Sequence, residues 1–154
     1  MTTPQEENVV LKTGDRAPAF SLPAHPTGTI SLSDFHAKKN VILAFYPKDD
    51  TPGCTKEMCG FSDDQTKFAE LDTIVLGISC DLAESHGKFA TKYGLNLTLL
   101  ADADREVGQK FGAIRGDRKM ADRILFLIDK EGVIRHIHEG MPKLPEILEK
   151  VRAL

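Results

Sequence analysis

The sequence is short of several features that would each assign it to a particular class of protein. It has no apolar run of membrane-spanning length, and its polar, acidic residues 1–8 lack the basic start and apolar core of a signal peptide. It has no excess of basic residues, since the net charge is -3 at pH 7 and Lys and Arg are scattered among acidic residues. We therefore expect a cytoplasmic protein that binds neither membranes nor nucleic acid.

Cysteine is also scarce, because the chain contains only three. Three cysteines cannot all pair within one chain, and a reducing cytosol disfavours structural disulfides. At least one thiol is therefore expected to be free. A lone buried cysteine usually behaves as a small hydrophobic residue, so the count by itself does not indicate chemistry.

What is present is the composition of an ordinary folded domain. Hydrophobic residues make up 41% of the 154 residues and charged residues 28%. A chain of this length buries enough apolar surface to fold without disulfides or metals. No repeat, long linker or exposed apolar stripe is visible, so we predict one domain over residues 1–154 and a monomer.

Three unbroken apolar runs, at residues 41–46, 74–78 and 124–128, are typical of strands covered on both faces of a sheet. Helix-like stretches at 52–71 and 83–93 follow the first two runs. The order strand, helix, strand, helix favours right-handed crossovers and a mainly parallel core. The sequence therefore predicts an α/β architecture.

The two ends of the chain add further expected elements. A turn at 129–132 and a more polar segment at 133–138 indicate an antiparallel hairpin near a sheet edge, and a helix is expected over 142–154. Residues 17–31 contain two strand-like pieces, and residues 33–35 favour a helical turn. This order is typical of a thioredoxin-like fold, a central mixed sheet flanked by helices with an N-terminal extension. Periodicity alone also permits other three-layer α/β arrangements.

The most informative cysteine, Cys54, follows a buried strand and opens a helix. Thr51 suits the N-cap and Pro52 the first helical position, which places Cys54 in the first turn. Unpaired backbone N–H groups and the positive end of the helix dipole favour a thiolate there, and the thiolate is the nucleophilic form of cysteine. Two acidic neighbours, Asp49 and Asp50, would oppose the thiolate if they pointed at the sulfur.

A cation is therefore required near this sulfur, and the local sequence leaves Lys48, Lys56 or a distant arginine open. We expect Cys54 to be only partly exposed, because it shares a helix face that packs toward the sheet. The members of this face are Cys54, Met58, Phe61, Gln65 and Phe68.

The second cysteine of this helix, Cys59, lies five residues after Cys54. On an intact helix it is turned about 140° from Cys54 and displaced roughly 7.5 Å along the axis. A disulfide needs Cα atoms within roughly 7 Å, so the first helical turns must unwind before the two can bond. Cys54 would then be oxidised to a sulfenic acid that Cys59 attacks. Spacing alone equally permits two cysteines that only fill space around the helix.

The residues around Cys54 resemble a known motif. Pro47-x-x-x-Thr51-x-x-Cys54 is similar to the peroxidatic motif of peroxiredoxins, and the string TPGCTKEMCGF resembles the peroxiredoxin Q, or bacterioferritin comigratory protein, branch. The resemblance covers nearly the whole chain except its extreme N-terminus. Its other matching segments are residues 14–23, 77–79, 85–86, 92–95 and 126–129.

This resemblance implies a thiol-dependent peroxidase that acts on hydrogen peroxide and organic hydroperoxides and needs no cofactor or metal. It implies that Cys54 is the peroxidatic cysteine and Cys59 the resolving cysteine, which would form an intramolecular disulfide. Thr51 would hold the peroxide oxygens, Arg123 would be the active-site arginine, and Pro47 would shield the sulfur from solvent. Thioredoxin or a similar dithiol would then reduce the disulfide.

The sequence departs from the family pattern at two places. Ile124 and Leu125 follow the arginine where small or hydroxylated residues are more usual, and Ala19 stands where the family often has an acid. The third cysteine, Cys80, has no family role, and we interpret it as a small buried or half-buried residue.

Two other functions are disfavoured by the spacing of the cysteines. A metal-binding module would use Cys54, Cys59, Cys80 and His86, but their spacing is wider than structural zinc sites normally show. A thiol-disulfide oxidoreductase normally has Cys-x-x-Cys at the helix start, and this spacing is absent.

Other titratable side chains are interpreted as structural. His25, His36, His136 and His138 lie in different segments, so no ligand set is predicted from them. The acids of the Cys54 helix, among them Glu57, are expected to be solvated and to compensate the helix dipole, although Glu57 could help to order the loop before Cys54.

Overall fold

The computed structural model describes residues 10–154. The polar segment 1–8, on which the expectation about a signal peptide rests, lies outside the described residues. The strands are β1 Ser21–His25, β2 Thr29–Ser31, β3 Asn40–Phe45, β4 Thr73–Ser79, β5 Thr98–Ala101, β6 Ile124–Ile128 and β7 Ile134–Glu139. The helices are α1 Pro52–Asp63, α2 Gln65–Ala69, α3 Ala83–Tyr93, α4 Glu106–Lys110 and α5 Leu144–Arg152, with a 3₁₀ helix at Leu32–Phe35.

The seven strands form one mixed sheet in the order β2-β1-β5-β4-β3-β6-β7. The central pairs β3–β4 and β4–β5 are parallel, and every other pair is antiparallel. All six residues of β3 are buried, because helices or loops cover both of its faces. The predicted thioredoxin-like fold with a central mixed sheet is confirmed, and β7 is the predicted antiparallel edge strand.

The core consists of two apolar layers, one on each face of the sheet, because successive side chains of a strand point to opposite sides. Ile42 and Ala44 of β3 face the layer beneath α1, α2, α3 and α5, whereas Val41 and Leu43 face the other layer. The largest buried side chains of the first layer are Tyr46, Met58, Phe61, Phe68 and Phe89, and those of the second are Phe45, Phe111 and Phe126.

Several element boundaries differ from the sequence-based expectation. The helix expected over 52–71 is interrupted at Asp64, and the C-terminal helix is shorter than 142–154, ending at Arg152. Two short elements, β5 and α4, were not predicted, because runs of four and five residues give too little periodicity to recognise. Among the helices of residues 10–154, none has the length and apolarity needed to cross a membrane.

Candidate active site

The loop between β3 and α1 presents the cysteine. Thr51 has the extended backbone of an N-cap residue, with φ -112° and ψ 154°, and Pro52 begins the helix as predicted. The Thr51 hydroxyl does not cap the helix, because it donates to the carbonyl oxygen of Lys48 at 2.9 Å. The N-cap role of Thr51 is therefore carried by its backbone alone, and its side chain stays within the loop.

Cys54 lies in the first turn of α1 and is only 1% exposed. The expectation of partial exposure was wrong, because the thiol belongs to the same buried layer as Met58 and Phe61. Its sulfur nevertheless has a polar partner, since Nη2 of Arg123 donates to Sγ at 3.3 Å. A guanidinium at this distance can stabilise negative charge that develops on the sulfur.

Arg123 reaches this sulfur because of strand pairing. It immediately precedes β6, and the antiparallel register places Ile124 opposite Phe45, the last residue of β3. Of the cations that local sequence left open, the structure thus brings a distant arginine to Cys54. Burial opposes the charge of the guanidinium, but its hydrogen bonds to Cys54 and Glu57 raise the pKa of Arg123 above its usual value.

Glu57 was expected to be solvated, and this expectation was wrong. Its side chain is 2% exposed, and its Oε1 accepts a hydrogen bond from Nη1 of Arg123 at 2.6 Å. Burial raises the pKa of the Glu57 carboxyl to about 7, against the opposing effect of Arg123. The sequence offers one signal that Glu57 belongs to the site, which is its position three residues after Cys54 on the same side of the helix.

The two acidic neighbours of the cysteine are turned away from it. Asp49 is buried and accepts a hydrogen bond from His86, whereas Asp50 accepts bonds from Lys92 and Tyr93. All three donors belong to α3, so neither carboxylate opposes a thiolate at Cys54. The cation expected near the sulfur of Cys54 is Arg123.

The residues of the rival metal site do not meet. Both ring nitrogens of His86 are engaged, by Asp49 and by the carbonyl oxygen of Leu100. Within residues 10–154, no group of three or more His, Cys, Asp or Glu side chains is arranged to hold a metal ion.

The three cysteines are free thiols with different surroundings. Cys59 is partly exposed, and burial together with the charge of Asp63 raises its pKa. Cys80 is half-buried and packs against the opposite layer of the core from Cys54. Burial and the charge of Asp102 raise the pKa of Cys80 to about 11, which agrees with an unreactive thiol.

Comparison with known proteins gives concordant matches. The model of the AhpC/TSA family matches residues 13–137. A putative peroxiredoxin bcp of Coxiella burnetii is 45% identical, covering 80% of this chain and 85% of the relative. Peroxiredoxin Bcp of Bacillus subtilis is 37% identical and covers 92% of this chain and 100% of the relative. The crystal structure of peroxidoxin BcpB from Mycobacterium tuberculosis has a TM-score of 0.86 at 34% identity, covering 94% and 99% of the two chains.

The fold and the site define the class of this protein, which is a thiol-dependent peroxidase built on a thioredoxin-like sheet. The chain belongs to the AhpC/TSA family, and within it to the peroxiredoxin Q, or bacterioferritin comigratory protein, branch. Proteins of this class take peroxides as substrates and thiols as reductants.

Proposed function

We propose that Cys54 is the peroxidatic cysteine, and the observation that carries this proposal is the 3.3 Å contact from Arg123 Nη2 to its sulfur. The thiolate attacks one peroxide oxygen, so that an S–O bond forms while the O–O bond breaks. The sulfur is oxidised to a sulfenic acid, and the departing alkoxide or hydroxide takes up a proton to leave as alcohol or water. Arg123 stabilises the charge on sulfur before attack and on the oxygens during it.

Thr51 and Pro47 complete the proposed peroxide pocket. Thr51 ends the loop that leads into α1, three residues before Cys54, and is partly exposed. Peroxide would compete with the Lys48 carbonyl for the donated hydrogen. Pro47 is partly buried at the start of the loop and cannot donate a backbone hydrogen bond, so it excludes water from the sulfur without adding a polar group.

Cys59 is the proposed resolving cysteine. Both cysteines lie within α1, so the helix must open locally before their sulfurs meet. The Cys59 thiolate then attacks the sulfenic sulfur, an S–S bond forms, and the S–O bond breaks with release of water. An external dithiol, for which thioredoxin or a similar protein is proposed, reduces the disulfide and is itself oxidised to a disulfide.

The proposal also covers the substrates, the oligomeric state and the location of the protein. The protein would act on hydrogen peroxide and organic hydroperoxides as a monomer of one domain. A cytoplasmic location is proposed from the sequence. One relative of 41% identity is named a chloroplastic peroxiredoxin Q, so compartments differ among the proteins that this chain resembles.

A disulfide map of the peroxide-treated protein tests the proposal. One equivalent of hydrogen peroxide is added to the reduced protein, remaining thiols are alkylated, and the peptides are identified by mass spectrometry. We expect a Cys54–Cys59 bond within one chain and a free Cys80, with the same map in a Cys80→Ser control. A bond that includes Cys80, or one that joins two chains, would contradict the proposal.

A further inference from the structure

The loop that precedes Cys54 is attached to a helix distant in sequence. Its two consecutive aspartates both accept hydrogen bonds from α3. We call residues 47–51 the peroxidatic loop. Its position decides where α1 begins, since the backbone N–H of Thr55 donates to the carbonyl oxygen of Thr51 at 2.8 Å.

The inner attachment is a fully formed buried network around Asp49. Oδ1 of Asp49 accepts from the Tyr46 hydroxyl at 2.6 Å, and Oδ2 accepts from Ser85 Oγ and His86 Nδ1, each at 2.8 Å. Burial opposes the charge of Asp49, but the hydrogen bonds from His86 and Tyr46 outweigh it and lower the pKa of the carboxyl.

His86 holds this network in one place relative to the sheet. The side chain is completely buried, and its Nε2 lies 2.8 Å from the carbonyl oxygen of Leu100 in β5. A carbonyl oxygen only accepts, so Nε2 donates to it. One ring therefore joins a central strand to the carboxylate of Asp49, and a buried side chain with two fixed partners has a single orientation.

The outer attachment at Asp50 is weaker. Lys92 and Tyr93 donate to its carboxylate at 2.9 and 2.6 Å, but the side chains of Asp50 and Lys92 are 41% and 59% exposed. Exposed ion pairs of this kind contribute little free energy. Asp50 also has φ 54°, a left-handed backbone that few residues other than glycine adopt readily. Of the two side-chain attachments to α3, the buried one at Asp49 is therefore the stronger, and the backbone N–H of Asp49 adds a bond to Oδ2 of Asp81 at 2.8 Å.

From this arrangement we propose that His86 is a positioning residue, which fixes the peroxidatic loop through Asp49 and thereby holds Cys54 at its contact with Arg123. The proposal rests on the peroxidatic role proposed for Cys54. Small displacements of a reacting group reduce rates steeply, because the attacking atom must be aligned with the bond that it breaks. Loosening this attachment should slow oxidation of Cys54 without slowing closure of the Cys54–Cys59 disulfide, which requires the local helix to open.

Two substitutions of His86 separate positioning from a general effect on stability. In His86→Asn the amide nitrogen takes the place of Nδ1, which keeps a donor to Asp49 and gives up the bond to Leu100. In His86→Gln the amide nitrogen takes the place of Nε2, which keeps the donor to Leu100 and gives up the bond to Asp49. Each variant thus loses one of the two buried contacts of the ring, and since both replace the imidazole by a neutral amide, any change of charge beside Asp49 is common to both.

Stopped-flow measurement of peroxide oxidation, followed by the rate of disulfide closure, gives the decisive comparison. We expect His86→Gln to lower the second-order rate constant for oxidation about tenfold or more and His86→Asn to lower it less than threefold, with closure no slower in either. Lys88→Ala serves as control, because it removes an exposed ion pair of α3 with Glu84 that does not touch the loop. Its rates should match those of the unaltered protein.

The positioning role would be overturned if both His86 variants lowered the rate constant for oxidation equally, or if His86→Gln did not lower it. If His86→Gln does not fold, Asp49→Ala removes the same attachment from the loop side, and a folded Asp49→Ala protein with full oxidation rate would overturn it as well. Failure of the proposed function looks different, since the unaltered protein itself would then not oxidise at Cys54.

Discussion

Nη2 of Arg123 donates a hydrogen bond to Sγ of Cys54 across a sequence separation of 69 residues. The contact arises because β6 pairs with β3, so that the residue before β6 lies beside the start of the loop that leads to α1. Nη1 of the same guanidinium binds Glu57, one turn further along α1. The guanidinium of Arg123 thus binds the sulfur of Cys54 and the carboxyl of Glu57 at once, and it can do so only while α1 is folded.

Removal of each α1 cysteine should stop the reaction at a different step. Cys54→Ser is expected to consume no peroxide above the uncatalysed rate, because the attacking sulfur is gone. Cys59→Ser should complete one oxidation but lose dithiol-driven turnover, leaving Cys54 as a sulfenic acid that dimedone labels. Peroxide consumption and the mass of the dimedone adduct measure these outcomes. Full activity in Cys54→Ser would refute the mechanism.

Replacing Arg123 by lysine should lower the oxidation rate constant about 100-fold while retaining the positive charge. A lysine ammonium lacks the planar fork that binds the sulfur and Glu57 at once. Stopped-flow kinetics with hydrogen peroxide measures the change. Arg118→Lys is a matched control in the same loop, because Arg118 is exposed and pairs only with Asp122 among the described ion pairs. Similar rates in both variants would count against the role of Arg123.

The two glycines on one face of α1 should respond differently to alanine. A Cβ at Gly53 would lie 3.0 Å from Nη2 of Arg123 and displace it, so we expect Gly53→Ala to slow oxidation about tenfold. A Cβ at Gly60 would meet only the flexible end of Leu144 at 3.2 Å, so Gly60→Ala should leave oxidation unchanged.

Gly60→Ala should instead slow closure of the Cys54–Cys59 disulfide. Alanine stabilises a helix by up to about 1 kcal/mol relative to glycine, and closure requires α1 to unwind. Rapid quenching with acid and mass spectrometry of the disulfide follow this step. Faster closure in Gly60→Ala would show that helix opening does not limit it.

The buried carboxyl of Glu57 should make stability depend on pH. Its folded pKa of about 7 is above the ordinary 4.5, so between these values the folded chain keeps a proton that the unfolded chain has lost. Stability from this group is therefore present below pH 4.5 and is lost as pH rises to 7. The free energy of unfolding of the reduced protein is measured with urea at pH 5 and pH 8. Between these values it should fall by roughly 1–3 kcal/mol more in the unaltered chain than in Glu57→Gln. Parallel pH profiles in the two proteins would contradict this.

Cys80 should react more slowly than Cys59, the other cysteine with a raised pKa. Its pKa of about 11 means that the thiol stays protonated at pH 7.5, so iodoacetamide should modify Cys59 first. Peptide mass spectrometry at pH 7.5 and pH 10 measures the order and its change, with Cys80→Ser identifying the signal. Rapid modification of Cys80 at pH 7.5 would refute this assignment.

The predictable part of the site was local in sequence. A buried strand followed by Thr51, Pro52 and Cys54 predicts the place of the thiol, because capping and helix-start preferences act within a few residues. The family resemblance supplied Arg123, which no local pattern could have identified. The long apolar runs of β3, β4 and β6 likewise predicted the central strands, since burial on both faces leaves a continuous apolar signal.

The unpredicted part depends on partners that are distant in sequence. The sequence predicts an ordinary solvated acid at Glu57, near the start of a helix, whereas the structure pairs this buried carboxyl with Arg123. The sequence indicates no structural partner for His86, because nothing in its own segment shows that Asp49 lies 2.8 Å from its ring. The sequence also does not predict the break at Asp64, since the apolar helix face continues past it to Phe68.

That break at Asp64 should limit how far disorder spreads along the chain during closure of the proposed Cys54–Cys59 disulfide. Helix melting is cooperative only along an unbroken run of backbone hydrogen bonds, and α1 is a run of 12 residues that ends at Asp63. Opening of the first turns of α1 should therefore stop before α2, whose Phe68 is fully buried in the same core layer. The enthalpy and the urea m-value of this opening should be those of a short segment. Each catalytic cycle would then unfold and refold part of one helix while the rest of the sheet and its helices stays folded.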